Sequence, residues 1–300
     1  VIMQKFKLVL IILLLGGIVD IGRYFVYPDV SELRDIHPIP TAFMQYRQEQ
    51  WASENKDKSI TQKWITFSEI SPNVIKAVLI GEDDKFWNHD GFDVDGMEQA
   101  LERSLKKGSI AGGSTISQQL AKNLYLSPSK NPVRKIKEAI LTWRIENTLT
   151  KRRILEIYLN VAEWGDGIFG IEAAARHYYH KSAKRLSGEE AARLAAVLPN
   201  PIKYNPLGNQ KYVKNRSRII YKIMKRRGIV IPQFQEVMAP PKVEETPHES
   251  NESNPLGELF PTTEEPINDT EPSSASEAAQ PSDGIAVPTD VESNDPAAAQ

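Results

Sequence analysis

An apolar run near the N-terminus sets the first limit on what this chain can become. Leu8 to Val19, LVLIILLLGGIV, holds twelve residues without a charge, and Lys5 and Lys7 precede it. Twelve residues alone match the core of a signal peptide. No small-x-small cleavage site follows. Reading on through Asp20 and Arg23 to Tyr27 gives twenty residues, enough to cross a bilayer. Tyr24, Phe25 and Tyr27 suit an interfacial belt, and the two charges can reach the headgroups. The expectation is an uncleaved, single-pass anchor over residues 1–27. The lysines before it place the N-terminus in the cytoplasm and the rest of the chain outside.

The other end of the chain sets a second limit. From Ala239 onward there are 14 acidic residues against one basic residue, a net charge of −13, and ten of the 20 prolines. Large apolar residues are sparse there. Such a segment cannot bury enough surface to offset its ordering entropy, so residues 239–300 are expected to be a disordered, acidic, Pro-rich tail. What remains carries 36 basic against 25 acidic residues, or +11. A basic body suits an anionic partner: nucleic acid, phospholipid or a phosphorylated substrate. There is no cysteine, which excludes disulfides and Cys-ligated metal.

Between these limits the pattern is helical. Residues 28–70 read as a polar, partly extended connector and the start of the catalytic region, and 71–238 as one domain. Ser71-Pro72 is an N-cap followed by proline at the first helical position. The stripe Val74, Ala77, Val78, Ile80 then runs straight into Glu82. Further helices are predicted over Val94–Lys107, from Ser114 or Thr115 to Leu124, and from Asn131-Pro132 to about Leu149. Others follow over Arg153–Asn160, Ile171–Tyr179, Glu189–Leu198 and Gln210–Arg227. Ser187 with Glu190 forms a capping box. No strand alternation is evident, so the fold class is mainly α.

Three stretches carry chemistry. In EDDKFWNHDG, Glu82 to Gly91, three adjacent carboxylates stand where a helix runs out. Mutual repulsion, the helix C-terminus and partial burial all raise carboxyl pKa values, and a raised carboxyl serves as a general base or acid near neutral pH. Asp83, Asp84, His89 and Asp90 could instead ligate a metal, but no calcium-loop or HExxH spacing is present. In GGSTISQQLAKN, Gly112 to Asn123, glycines lead into a Ser-Thr helix start whose free N–H groups suit an anion. Gln118, Gln119 and Lys122 extend that polar face. In NPVRKIKEAI, Arg134 and Glu138 are i,i+4 neighbours. Lys130, Arg134, Lys135 and Lys137 concentrate positive charge just before Glu138, which suits a phosphate-bearing ligand.

These stretches, with KRRILEIYLN and GIFGIEAAARHYY, follow one another in the order found in the peptidoglycan glycosyltransferases, family 51 of the glycosyltransferases. The chain resembles their monofunctional form over roughly Pro40 to Arg227. The resemblance implies a lysozyme-like, mainly α fold. It also implies polymerisation of lipid II onto a growing glycan strand, inverting, with β-1,4 linkages and release of undecaprenyl diphosphate. It assigns Glu82 as catalytic base and Glu138 as the second essential carboxylate. Ser114, Gln118, Lys122, Arg134, Lys135 and Lys151 become substrate-binding residues. Lys130 stands where the family commonly has arginine, keeping the charge without the bidentate fork. Asn160 and Glu172 fall in the last two motifs.

The resemblance further implies the bacterial inner membrane, with the catalytic domain on the periplasmic or outer side. Expected partners are lipid II, the glycan strand, the bilayer and cell-wall synthases or division proteins, with no nucleic acid. No cofactor is obligatory, though Mg2+ or Mn2+ near Glu138 is compatible with a diphosphate leaving group. Two rival readings remain at this point: a lysozyme-like lytic transglycosylase, and an inert lipid II-binding scaffold. A bifunctional penicillin-binding protein is disfavoured, because no KTG accompanies the SxxK strings.

Overall fold

The computed structural model describes residues 2–107, 113–128 and 131–228. The chain divides into two units, 1–243 and 244–300, and every described residue lies in the first. The acidic tail and Lys130 are outside the described residues.

The mainly α expectation holds. Ten α-helices are described, besides short 3-10 turns: α1 (Ile2–Gly22), α2 (Ala42–Ser53), α3 (Pro72–Glu82), α4 (Val94–Lys107), α5 (Ile116–Tyr125), α6 (Pro132–Thr148), α7 (Lys151–Val161), α8 (Ile171–Tyr179), α9 (Gly188–Val197) and α10 (Lys211–Arg226). Their starts follow the cap chemistry. Ser71 accepts from the Asn73 N–H with Pro72 behind it. Thr115, rather than Ser114, caps α5, and Ser187 and Glu190 close the box that begins α9.

Two groups of helices enclose the core. In one, α3, α9 and α10 pack together; in the other, α5 packs against α6 and α7. Ala191, Ala192, Ala195 and Ala196 are all buried on α9, and small side chains allow its neighbours to approach closely. Gly81 serves the same seam, because an added Cβ would stand 3.3 Å from Ile220 Cδ1. Trp164, Tyr158, Phe67 and Phe86 are among the largest fully buried side chains.

Two expectations need correction. Strands do exist: β1 (Thr61–Gln62), β2 (Glu163–Gly165) and β3 (Ile168–Phe169). They form a sheet in the order β1-β3-β2, with Thr61 opposite Ile168 in the parallel pair and Glu163 opposite Phe169 in the antiparallel pair. Strands of two or three residues are too short to show alternation. Residues 28–70 are also more than a connector. Thr41 caps α2, and Val30, Leu33, Met44, Trp51, Ile65, Phe67 and Ile70 are buried. Arg153 donates to the carbonyls of Leu33 and Ile36, at 2.8 and 2.7 Å, and holds the start of this segment against α7.

From Met3 to Val19 the apolar side chains of α1 are exposed, and Met3–Phe25 is long and apolar enough to cross a membrane. Its end is fastened to α6. Asp20 pairs with Lys137, and Arg144 donates to the carbonyls of Tyr24 and Val26, both at 2.9 Å.

Candidate active site

Glu82 is the last residue of α3, because Asp83 leaves the helix with an extended φ of −159°. Its side chain is 9% exposed. Arg216 of α10 donates to Oε1 at 2.9 Å and Gln119 of α5 donates to Oε2 at 3.1 Å. Tyr158 in turn donates to Gln119 Oε1 at 3.1 Å, which orients the amide. Burial pushes the Glu82 carboxyl above its ordinary range, against the pull of Arg216, the Gln119 hydrogen bond and Lys122. Of the causes the sequence suggested, burial is the one that leads here. Neighbouring carboxylates do not crowd Glu82, because each has its own partner. Asp83 accepts from the Ile116 N–H at 2.9 Å and pairs with His89 Nε2, also at 2.9 Å; Asp84 pairs with Arg227.

The EDDKFWNHDG loop is thus built to hold still while its first residue is presented. Gly91 N–H donates to His89 Nδ1 at 3.1 Å, so the proton of the neutral ring lies on Nε2, facing Asp83. Gly91 has φ +90°, and a Cβ there would stand 2.8 Å from Thr142 Cγ2. The Thr115 hydroxyl donates to the Gly91 carbonyl at 2.7 Å.

Two clefts meet at Glu82 and its amide partner. One, of about 360 Å³, is lined by Glu82, Asp93, Gln99 and Ser114 among others. The second, of about 210 Å³, is lined by Gln119, Lys122, Tyr158, Arg47 and Glu163 among others. The Gln119–Glu82 hydrogen bond joins the walls of the two.

Positive charge gathers beside them. Lys122 loses proton affinity through burial; Glu138 offsets this, Arg134 and Lys135 add to it, and Glu82 offsets it again. Lys122 therefore feels both glutamates and both neighbouring cations. Glu138 is buried on α6, with Arg134 donating to Oε2 at 2.6 Å and Lys135 donating to Oε1. The structure thus brings Glu82, Lys122, Arg134, Lys135 and Glu138 into one electrostatic neighbourhood.

Other expected site residues sit elsewhere or act inwards. Ser114 is exposed at the first cleft. Gln118 is buried, and its side chain accepts from the Thr115 N–H at 3.1 Å, closing a capping box. The cleft-facing amide is Gln119. Lys151 donates to the His89 carbonyl and to Glu146 at 2.8 Å, with its ammonium 4.6 Å from the Phe86 ring centroid. It braces the loop from behind. Asn160 clamps Ile65 through both backbone groups, at 2.9 Å each. Glu172 accepts from Ala183 N–H at 2.8 Å and from Arg176 at 2.6 Å.

The donor set does not fit a protein-held divalent cation. Among the described residues no group of three or more His, Cys, Asp or Glu side chains converges. Both Glu138 oxygens already accept from cations.

Arg216 has no counterpart in the sequence reading, and nothing in α10's run of basic residues singles it out. The Gln118/Gln119 choice was readable: T-x-x-Q at a helix start is a capping box, and Gln119 with Lys122 makes an i,i+3 pair on one face.

A family model described as "Transglycosylase" matches residues 48–225. The chain belongs to the transglycosylase family. It is 45% identical over 205 residues to the biosynthetic peptidoglycan transglycosylase of Nitrosospira multiformis, covering 68% of this chain and 89% of that protein. Proteins of the same name from Laribacter hongkongensis and Chromobacterium violaceum are 49% and 48% identical, over 63% and 64% of this chain and 83% and 84% of theirs. The matched transglycosylase region begins within α2 and contains Glu82, Gln119, Lys122, Glu138 and Arg216, while Phe43 and Arg47, which line the second cleft, lie just before it.

Proposed function

We propose that this chain polymerises peptidoglycan glycan strands from lipid II, with Glu82 as the general base. The observation that carries the reading is a buried carboxylate of raised proton affinity, standing between two clefts beside a set of cations. The acceptor sugar's 4-hydroxyl gives its proton to Glu82 as its oxygen bonds to the donor's anomeric carbon. The bond from that carbon to the diphosphate breaks, and its electron pair leaves with the diphosphate. A diphosphate needs its charge neutralised more than it needs a proton, and Lys122, Arg134 and Lys135 supply this. A single displacement inverts the α-linked donor to a β-1,4 product. Arg216 keeps the base from being neutralised too readily. Its buried Nε–H, without an acceptor among the described residues, is a further donor beside the reacting groups.

A retaining glycosidase needs a second carboxylate free to act as nucleophile. Glu138 is poorly suited, since both its oxygens are engaged. Anchoring by α1 in the bacterial inner membrane, with the catalytic domain on the outer side, would keep the enzyme beside its lipid-linked substrate and raise effective concentration.

The test supplies labelled lipid II to the detergent-solubilised full chain and resolves products by size, with Glu82→Gln in parallel. Muramidase-sensitive polymer from the wild type and none from the variant is expected. Lipid II retained without polymer would overturn the reading in favour of a scaffold. Cleavage of added glycan strands would overturn it in favour of a lytic enzyme.

A further inference from the structure

A third cleft, of about 270 Å³, opens where the end of α1 meets the catalytic domain. Arg23, Tyr24, Tyr27, Gln45, Leu124 and Tyr125 line it, with Pro28, Pro40 and Ala42 completing the wall. The ties from Asp20 and Tyr24 to α6 hold this corner together, and Lys137 Nζ lies 5.0 Å from the Tyr24 ring centroid. The cleft therefore sits at one end of the apolar span, the level of the headgroups if α1 crosses a bilayer.

Its chemistry is two-sided. Pro28, Pro40, Ala42 and Leu124 are apolar, while Arg23, Gln45 and three phenols offer hydrogen bonds. Arg23 makes two long contacts, 3.3 Å to Asp20 and 3.4 Å to the Tyr24 hydroxyl; a guanidinium has five donors, so capacity remains. The Tyr125 phenol has no hydrogen-bond partner among the described residues, and burial pushes its pKa up to about 12, keeping it a donor. None of Lys122, Arg134 and Lys135 lines this cleft, so it stands apart from the cations assigned to the leaving diphosphate.

We propose that this cleft seats the headgroup of a bilayer glycerophospholipid, with Arg23 and Tyr125 donating to its phosphodiester and the glycerol lying against Leu124 and Pro40. The inference rests on α1 being a membrane anchor. It also has a route to the active site. Gln45 belongs to α2, while Leu124 and Tyr125 end α5, the helix that carries Gln119 and Lys122. A seated lipid would brace the α2–α5 seam from its membrane end.

The experiment places the full chain in vesicles of phosphatidylethanolamine and phosphatidylglycerol. A benzophenone cross-linker replaces Gln45, or, as control, the exposed Lys222 on α10. Vesicle flotation reports anchoring separately. A phospholipid adduct at position 45 and none at 222 is expected. Arg23→Gln should lower its yield about tenfold and Tyr125→Phe about threefold, the loss of a charged and a neutral hydrogen bond, with thermal unfolding unchanged. Flotation without an adduct at position 45 would overturn this inference and leave the anchor standing. Failure to float would overturn both. Displacement of the adduct by an equal mole fraction of polyprenyl phosphate would give the cleft to the substrate and overturn the phospholipid assignment.

Discussion

The two glutamates of the candidate active site are furnished in opposite ways. Glu138 takes its cations from its own helix, with Arg134 and Lys135 four and three residues earlier. Glu82 takes its partners from across the fold, with Gln119 and Arg216 lying 37 and 134 residues further on. A carboxylate furnished locally is neutralised as soon as its helix forms. One furnished by packing is first stripped of water and then only partly compensated. The second arrangement raises proton affinity, and it suits a base. The first holds a cationic surface in place, and it suits the recognition of a diphosphate.

The largest effect should separate their roles. Glu82→Gln is expected to lower turnover by about 10²–10⁴-fold, the usual range for a positioned general base. Glu138→Gln should act mainly through the KM for lipid II, because it loosens the cations rather than removing the base. Steady-state kinetics on both variants checks this; an equal loss of kcat in each would break the comparison.

Next comes Arg216→Gln. Removing a positive charge from Glu82 raises its proton affinity further. The acidic limb of the pH–rate profile should then move to higher pH by about one unit, roughly a tenfold loss on that limb with recovery above it. Arg216→Lys should keep most of the wild-type profile. A uniform loss at every pH would mean that Arg216 matters for packing alone.

Stability sharpens the same contrast. Arg134→Met leaves buried Glu138 with one partner and should cost about 3 kcal/mol, read from chemical denaturation. Glu82→Gln should do the reverse. Because burial raises the folded-state pKa of Glu82, its favourable contribution exists below the unfolded pKa and is lost as pH rises through the higher folded value. The variant should therefore match wild type in acid. At pH 8 it should melt roughly 2–4 °C higher, the shift that about 1 kcal/mol gives a domain of this size. Equal melting at both pH values would argue that Glu82 is well solvated.

This contrast also marks what could be read from sequence. The Arg134–Glu138 pair was visible because helical spacing is a local rule. Helix α3 was visible because Ser71-Pro72 and an apolar stripe announce it. Glu82 was singled out partly by crowding with Asp83 and Asp84, whereas the fold gives those two residues to His89, Ile116 and Arg227. Lys151 was assigned to the substrate by the resemblance alone; here a carbonyl and Glu146 absorb its charge. Val30, Leu33, Met44 and Trp51 were passed over because each sits among polar residues without a period, and their burial is decided by long-range packing. Arg216 follows from no local rule.

That last residue carries a consequence for biosynthesis. Chains are made from the N-terminus, so α1 and the helix bearing Glu82 exist well before α10 does. Until α10 docks, the base lacks its cationic partner and the α3–α9 seam lies open. If α1 anchors the chain and Glu82 is the base, as proposed, a growing polypeptide tethered beside its substrate would remain idle until its last described helix closes against the rest.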